Sequence, residues 1–238
     1  MLALGSPTHA IDSAAYAEWL SGYRWKRVYG QSYVYAGPLF IHQFSHLWID
    51  FRGIRDTYMA ARELDYFENS RRATRVHQEY AKRNPKAFRN YHGRCWGLTA
   101  SDGAGPLRKR IHGRSRKFFG YRARGAPYGP DDGTVAPWAS IASLPFAPEL
   151  VMPTIRYLAA ETYDVENSFG FCASFNPTLH ERSDDIGWLS PWHFSLNQGP
   201  IVLMIENYRN EFIWRSMRDC PYIRRGLMRA GFTGGWLA

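Results

Sequence analysis

Cysteine is scarce and shows no pairing pattern. Cys95, Cys172 and Cys220 stand far apart with no CxxC spacing, which argues against a disulfide framework and against a zinc ribbon. They read as three free thiols. No run of about 18 apolar residues occurs, so no membrane-spanning helix and no membrane partner are expected. The start, MLALGSP, has neither a charged leading segment nor a long apolar core and does not read as a signal peptide. It reads as the tail of a helix ending at Gly5, with Pro7 behind it. The compartment stays open between the cytoplasm and export directed by a segment upstream of Met1. Period-two alternation of apolar and polar residues is also scarce, which leaves little to read as strand.

Acidic residues are missing from one long stretch. Between residues 103 and 130 lie Arg108, Lys109, Arg110, Arg114, Arg116, Lys117, Arg122 and Arg124 with no Asp or Glu among them. The chain carries a formal net charge of +9, so setting these eight cations aside leaves about +1. The protein reads as nearly neutral with one basic loop. A solvated, self-repelling loop is the preferred reading, and a nucleic-acid or phosphate contact the lesser one.

What is present suits a large domain or a fraction of a bigger one: 238 residues, 45% hydrophobic and 16% aromatic. Helical spacing and end signals place helices at 12–25, at 66–83 with a cap near Asp65 and a stop at Asn84-Pro85, at 138–144, at 148–163 and at 220–230. A further helix is opened by Gly37-Pro38, with Phe40, Phe44, Leu47, Trp48 and Phe51 on one face. Gly199-Pro200 starts a strong helix through Met217. Residues 86–137 and 170–197 read as long polar loops, which in a compact domain tend to be functional. The expected class is therefore all-α with long loops.

Three groups of residues carry candidate chemistry. On a helix, His42, His46 and Asp50 would form one polar stripe at i, i+4 and i+8. It would suit a ligand cleft, buried hydrogen-bonded histidines or, least, a metal, since HExxH is absent. Glu206 follows five apolar residues, 201–205, that cover every side of a helix. That predicts a helix buried all round and a buried carboxylate that is either paired with Arg209 or used on a ligand. The polar loops around Trp96 to Asp102, Asp131-Asp132-Gly133-Thr134 and Asn176 bring carboxylates, amides and hydroxyls near indole rings. Sugars need that combination: convergent donors and acceptors for hydroxyls, flat apolar faces for C–H groups. Cleavage of a glycosidic bond needs a carboxylic acid and a carboxylate flanking it. The residues alone do not select the pair.

Long motifs carry a resemblance: LALGSPTH at 2–9, FIHQFSHLWIDFRG at 40–53, DYFENSRRAT at 65–74, WGLTASDG at 96–103, DDGTVAP at 131–137, SLPFAPE at 143–149 and QGPIVLMIENYR at 198–209. Over nearly its whole length the chain resembles the glycoamylase-like domain family, which is related to bacterial endo-beta-1,2-glucanases. The resemblance implies an (α/α)6 toroid, of which residues 1–238 would be the C-terminal half, a single glycoamylase-like domain lacking its N-terminal helices. It implies a glycoside hydrolase-like domain acting on beta-glucan, beta-1,2-linked first, without a metal or cofactor. The helices missing at the start would carry the family's general acid, and relatives tend to show Asp where Asn197 stands. Both departures predict a chain inactive or incomplete alone. The alternative is a carbohydrate-binding or complementation module that associates with a separate N-terminal half. Asp102, Asp132 and Glu206 are the expected catalytic acids, converging on one cleft. His42, His46, Asp50, Arg52, Trp96, Asn176, Asn197 and Gln198 are the expected substrate contacts.

Overall fold

The computed structural model describes residues 1–160, 166–180 and 187–238. Helices α1 (Leu2–Gly5) and α2 (Ala14–Ser21) open the chain, followed by the hairpin of β1 (Trp25–Val28) and β2 (Gln31–Val34). Two 3-10 turns, Leu39–His42 and Phe44–Leu47, lead to α3 (Thr57–Ala60) and α4 (Tyr66–Arg83). Then come β3 (Ala100–Ser101), β4 (Leu107–Ile111), β5 (Arg114–Phe118), β6 (Arg122–Ala123), α5 (Pro137–Ile141) and α6 (Pro148–Ala160). Strands β7 (Glu166–Asn167), β8 (Gly170–Phe171), β9 (Phe175–Asn176) and β10 (Trp188–Leu189) precede α7 (Ser195–Asn210), α8 (Phe212–Arg218) and α9 (Pro221–Arg229).

The expected all-α class is overturned. The described residues form five two-stranded antiparallel sheets beside the helices. The strands are only two to five residues long, too short for period-two hydrophobicity to register. In β4 and β5 cations stand on both faces, so no alternation marks the strands.

Helix α4 forms where expected because both ends are coded locally. The Asp65 carboxylate accepts from the Glu68 amide at 2.8 Å, and Asn84 closes the helix in the left-handed region (φ 43°). The helix expected at 12–25 stops at Ser21, and Trp25 enters β1 instead. The helix expected to end at residue 163 is described to Ala160; residues 161–163 lie outside the described residues, as do 181–186 within the stretch expected to be loop. The helix expected from Gly199 starts earlier, at Ser195, and breaks at Glu211 (φ 58°) into α7 and α8.

The long helix expected across residues 40–51 does not form. Its carbonyls are taken by side chains of other elements. Ser70 Oγ donates to the His42 carbonyl (2.7 Å), Trp214 Nε1 to that of His46 (2.6 Å) and Asn207 Nδ2 to that of Leu47 (3.1 Å). Gln43 turns inward and donates to the Ala139 carbonyl (2.6 Å) and to Ser143 Oγ (2.8 Å). Tertiary partners therefore replace the i+4 amides, and two 3-10 turns result. One hydrophobic cluster gathers residues from Leu4 to Phe232 and includes Trp96, Phe146, Phe175, Met204 and Trp214. Its ends are drawn together where α1 crosses α9. A Cβ on Gly5 would lie 1.8 Å from the Tyr222 carbonyl oxygen, so only glycine allows that approach.

Candidate active site

The wall that carries Asp102 is built around a buried ion pair. The side chains of Arg124 and Asp132 are fully buried and meet at 2.7 and 2.9 Å. Burial opposes the charge on Asp132, but Arg124 and the Phe119 and Thr134 amides outweigh it and hold the carboxyl below the usual range. The remaining guanidinium hydrogens go to the carbonyls of Ser101 (2.9 Å), Asp102 (3.2 Å), Phe119 (3.3 Å) and Gly120 (3.2 Å). Arg124 thus welds the β3–β6 pair in place and fixes the backbone at Asp102. Upstream, Gly97 (φ 137°) passes so close to the Ala136 carbonyl that a Cβ would lie 2.7 Å from it. The Trp96 indole is buried and donates to Thr154 Oγ1 at 2.8 Å.

Ser174 and Ser190 hold the Asp102 side chain. Ser174 directly precedes β9 and Ser190 directly follows β10; the Ser190 amide donates to the Ser174 carbonyl (2.9 Å), so the two face each other. Ser174 Oγ donates to Asp102 Oδ1 at 2.6 Å, and Ser190 Oγ donates to Oδ2. No cation reaches this carboxylate among the described residues. It faces a cavity of about 680 Å³, whose lining also includes Phe40, Phe44, Tyr121, Trp138, His193 and Asn197. Phe40, Phe44 and Trp138 form a run of rings with centroids 5.3 and 5.9 Å apart. Trp138 Nε1 and His193 Nε2 are buried with no hydrogen-bond partner. Asn197 enters from the first turn of α7, and its backbone amide donates to the Phe194 carbonyl. The cavity therefore offers one carboxylate, an amide and flat apolar faces, with two orphaned ring nitrogens buried in its wall, and its size is ordinary for a small-ligand site.

The other expected site residues lie elsewhere, and the three expected catalytic acids do not converge. Asp132 sits behind the wall as the counter-ion of Arg124. Glu206 lies on α7, half-exposed, bonded to Arg209 and Asn210. The helix around it is not buried all round, since Val202 is 64% exposed. The nine residues from Asn197 to Glu206 span about 13 Å of helix, which carries Glu206 away from the cavity. Asn176 is internal: its amide donates to the Asp132 carbonyl and Thr134 Oγ1, and its Oδ1 accepts from the Thr178 and Leu179 amides. Gln198 donates to the Phe171 carbonyl. Asp50 is buried against Arg52 and Arg218, and Arg52 also meets Glu211 at 2.8 Å and stacks over Trp214.

His42 and His46 line a second cavity of about 410 Å³ together with Tyr16, Trp19, Tyr66 and Asn69. His46 is packed edge-on against Phe51 and Phe146, with Nε2 at 3.0 Å from Ser70 Oγ. Burial pushes His42 down to about 4 and His46 to about 3, so both rings are neutral. The i, i+4, i+8 stripe with Asp50 is dissolved by the two 3-10 turns. No group of three metal-ligating side chains occurs among the described residues.

Sequence reasoning missed Arg124 as a structural group, Trp138, His193 and the two serines. Arg124 was hidden among seven other cations. Ser174 and Ser190 are 16 residues apart and meet only through strand pairing.

Comparisons with known proteins fit this architecture. A family profile described as "Putative glucoamylase" matches residues 1–221. An exo beta-1,2-glucooligosaccharide sophorohydrolase (non-reducing end) from Parabacteroides distasonis is 31% identical over 195 residues, 82% of this chain and 23% of that protein. A solved structure named a putative glucoamylase, from Bacteroides uniformis, superposes with a TM-score of 0.83 at 32% identity over 99% of this chain and 53% of its own. An endo-beta-1,2-glucanase from Chitinophaga pinensis, solved with sophorotriose and glucose, gives 0.82 at 29% identity over 99% and 53%. The chain spans about half the length of these solved structures and about a quarter of the sophorohydrolase. It belongs to the glycoamylase family.

Proposed function

We propose that the Asp102 cavity holds glucosyl units of a beta-1,2-linked glucan, and that this chain by itself binds such a glucan with little or no turnover. The observation that carries the reading is the cavity's content: one carboxylate without a cation, Trp138 with an unpartnered Nε1–H, and a run of aromatic rings beside it. Rings take the C–H faces of a pyranose, while Asp102, Asn197 and Trp138 Nε1 meet its hydroxyls. Two of the relatives named above, the sophorohydrolase and the Chitinophaga pinensis glucanase, are named for beta-1,2-linked glucans, which supports that linkage. Hydrolysis needs two carboxyl groups flanking the bond. Among the described residues Asp102 is the carboxyl lining the cavity, and Asn197, which lines it too, is an amide that cannot serve as a general acid or base.

The test is titration with sophorotriose followed by tryptophan fluorescence, alongside reducing-sugar release from 1,2-linked glucan. Wild type is expected to bind without measurable release, and Asp102→Ala to weaken binding by about tenfold, the worth of one hydrogen bond to a charged group. Unchanged affinity in Asp102→Ala would place the sugar elsewhere. Release by wild type at enzymatic rates would overturn the inactivity.

A second reading is favoured by apolar exposure. Trp19, Leu196, Val202 and Met228 are all more than 60% exposed. A segment corresponding to the rest of a family member's length, from this or another polypeptide, would cover them. Co-expression with such a half should give one species on size exclusion; two separate species would count against it.

A further inference from the structure

The basic stretch expected to be a solvated loop is a folded arm attached to the cavity wall. Strands β4 and β5 pair in register from Leu107↔Phe118 to Ile111↔Arg114, and Asp102 and Tyr121 flank the two ends of the arm. The Gly105 amide donates to the Phe119 carbonyl at 2.9 Å, and the Phe119 amide donates to Asp132 Oδ2 at 2.8 Å. The arm therefore hangs from the same Arg124–Asp132 pair that fixes Asp102.

Strand alternation sorts its cations. Leu107, Lys109, Ile111, Arg114, Arg116 and Phe118 share one face. Arg116 there is spent on the Lys86 and Ala87 carbonyls and on the Phe88 ring. Arg108, Arg110, Ser115 and Lys117 make the other face, and all four are exposed. Arg108 lies directly opposite Lys117, a destabilising arrangement of like charges. Lys117 and the exposed Arg122 both approach the Phe119 ring, at 5.4 and 5.6 Å from its centroid. Arg122 pairs through its backbone with Ser101, the residue before Asp102. Among the described residues no carboxylate pairs with Arg108, Lys117 or Arg122. Lys117 and Arg122 thus approach one ring, with Arg108 opposite Lys117, at the stem of the arm next to the cavity residues Ser101 and Tyr121.

We propose that Arg108, Lys117 and Arg122 form an anion subsite of the cavity, which selects a beta-glucan bearing an anionic substituent such as a phosphate ester over the neutral polymer. The inference rests on the glucan reading of the adjoining cavity. An anion bridging Arg108 and Lys117 removes their mutual repulsion and gains charge-assisted hydrogen bonds from arginine.

The experiment compares sophorotriose, sophorotriose carrying one phosphate ester, and an oligothymidylate of three nucleotides. Each is titrated at low and high salt against wild type, Arg108→Gln/Lys117→Gln and Arg122→Gln. All three positions are exposed, and thermal unfolding checks that the variants fold. The phosphorylated sugar should bind wild type about tenfold tighter than the neutral one. That preference should vanish in the double variant and in high salt, fall partway in Arg122→Gln, and leave neutral-sugar affinity unchanged throughout. Equal affinity for the two sugars, or a preference that survives the double variant, overturns the proposal. So does oligothymidylate binding as tightly as the phosphorylated sugar, since a general polyanion arm would then be at work. Should only the phosphorylated sugar bind, and lose binding in the double variant, the anion subsite stands and the glucan reading of the cavity falls. Binding of neither sugar sinks both.

Discussion

The cavity at Asp102 and the smaller one at His46 are made of similar parts: aromatic rings, a few hydroxyls and amides, and buried ring nitrogens left without a partner. They differ in what happens to charge. At Asp102 a carboxylate is held by two neutral hydroxyls, while the nearest guanidinium, Arg124, is consumed by Asp132 and backbone carbonyls. At His46 the histidines are kept neutral. The imidazoles are discharged by burial, and the nearby carboxylate of Asp56 is screened behind the Tyr16 and Tyr66 hydroxyls, each donating at 2.7 Å. A carboxyl group that faces the cavity with no cation beside it suits sugar recognition, whereas a discharged imidazole cluster suits a core.

Removing Arg124 should have the largest effect on that contrast. Arg124→Met leaves the Asp132 carboxylate buried without a partner, which costs about 3–5 kcal/mol for a pair of this kind. A drop of that size in denaturant unfolding is expected, with sophorotriose binding lost while the His46 region keeps its near-ultraviolet signature in the fraction that folds. A change below about 1 kcal/mol would show that Arg124 is not the keystone of the wall.

Acid should act on the buried histidines, two of which line the other cavity. His42, His46 and His77 are pushed by burial to about 4, 3 and 3. The unfolded chain protonates them near the ordinary value of 6.5. Their contribution to stability is therefore fully present above about pH 6.5 and is lost as pH falls toward 4, because the unfolded state takes up protons first. Three such groups give a slope approaching about 4 kcal/mol per pH unit below pH 6. His46→Gln should flatten that slope measurably, and an unchanged slope would place the acid sensitivity elsewhere.

Trp138→Phe is expected to act only at the Asp102 cavity, and more weakly. It keeps a ring for the sugar face and deletes the Nε1–H, so sophorotriose affinity should fall about threefold to tenfold, the worth of one neutral hydrogen bond. Phe44→Leu, which thins the ring stack without touching a polar group, should cost less in binding than Trp138→Phe; the reverse order would mean that stacking, not the indole donor, dominates.

The legibility of these features in the chain tracks the range over which they are coded. Helix α4 was readable because Asp65 and Asn84 signal its ends locally and its polar face is paired within the helix, Glu68 with Arg71 and Arg72, Glu79 with Lys82 and Arg83. The family motifs were readable, but the cleft expected to join Asp102 with Asp132 and Glu206 was not the cavity that Asp102 shares with Asn197. Residues 40–51 misled because helical spacing of Phe and His is also the spacing of successive 3-10 turns within error, and the choice was made by Ser70, Asn207 and Trp214 from other elements. The all-α expectation failed for a related reason: the strands are too short to leave a period, and their pairing is decided by what they pack against.

The amino-acid order alone determined the family, the capped α4, the absence of any disulfide spacing and the concentration of positive charge between residues 103 and 130. Tertiary structure decided which acidic groups are available. Asp132 and Asp50 are neutralised by arginines that folding brings to them, Glu206 is turned outward, and Asp102 alone of the expected catalytic acids is left facing a cavity. A carboxylate's role depends on its surroundings within a few ångströms, and those neighbours are supplied by parts of the chain tens of residues away.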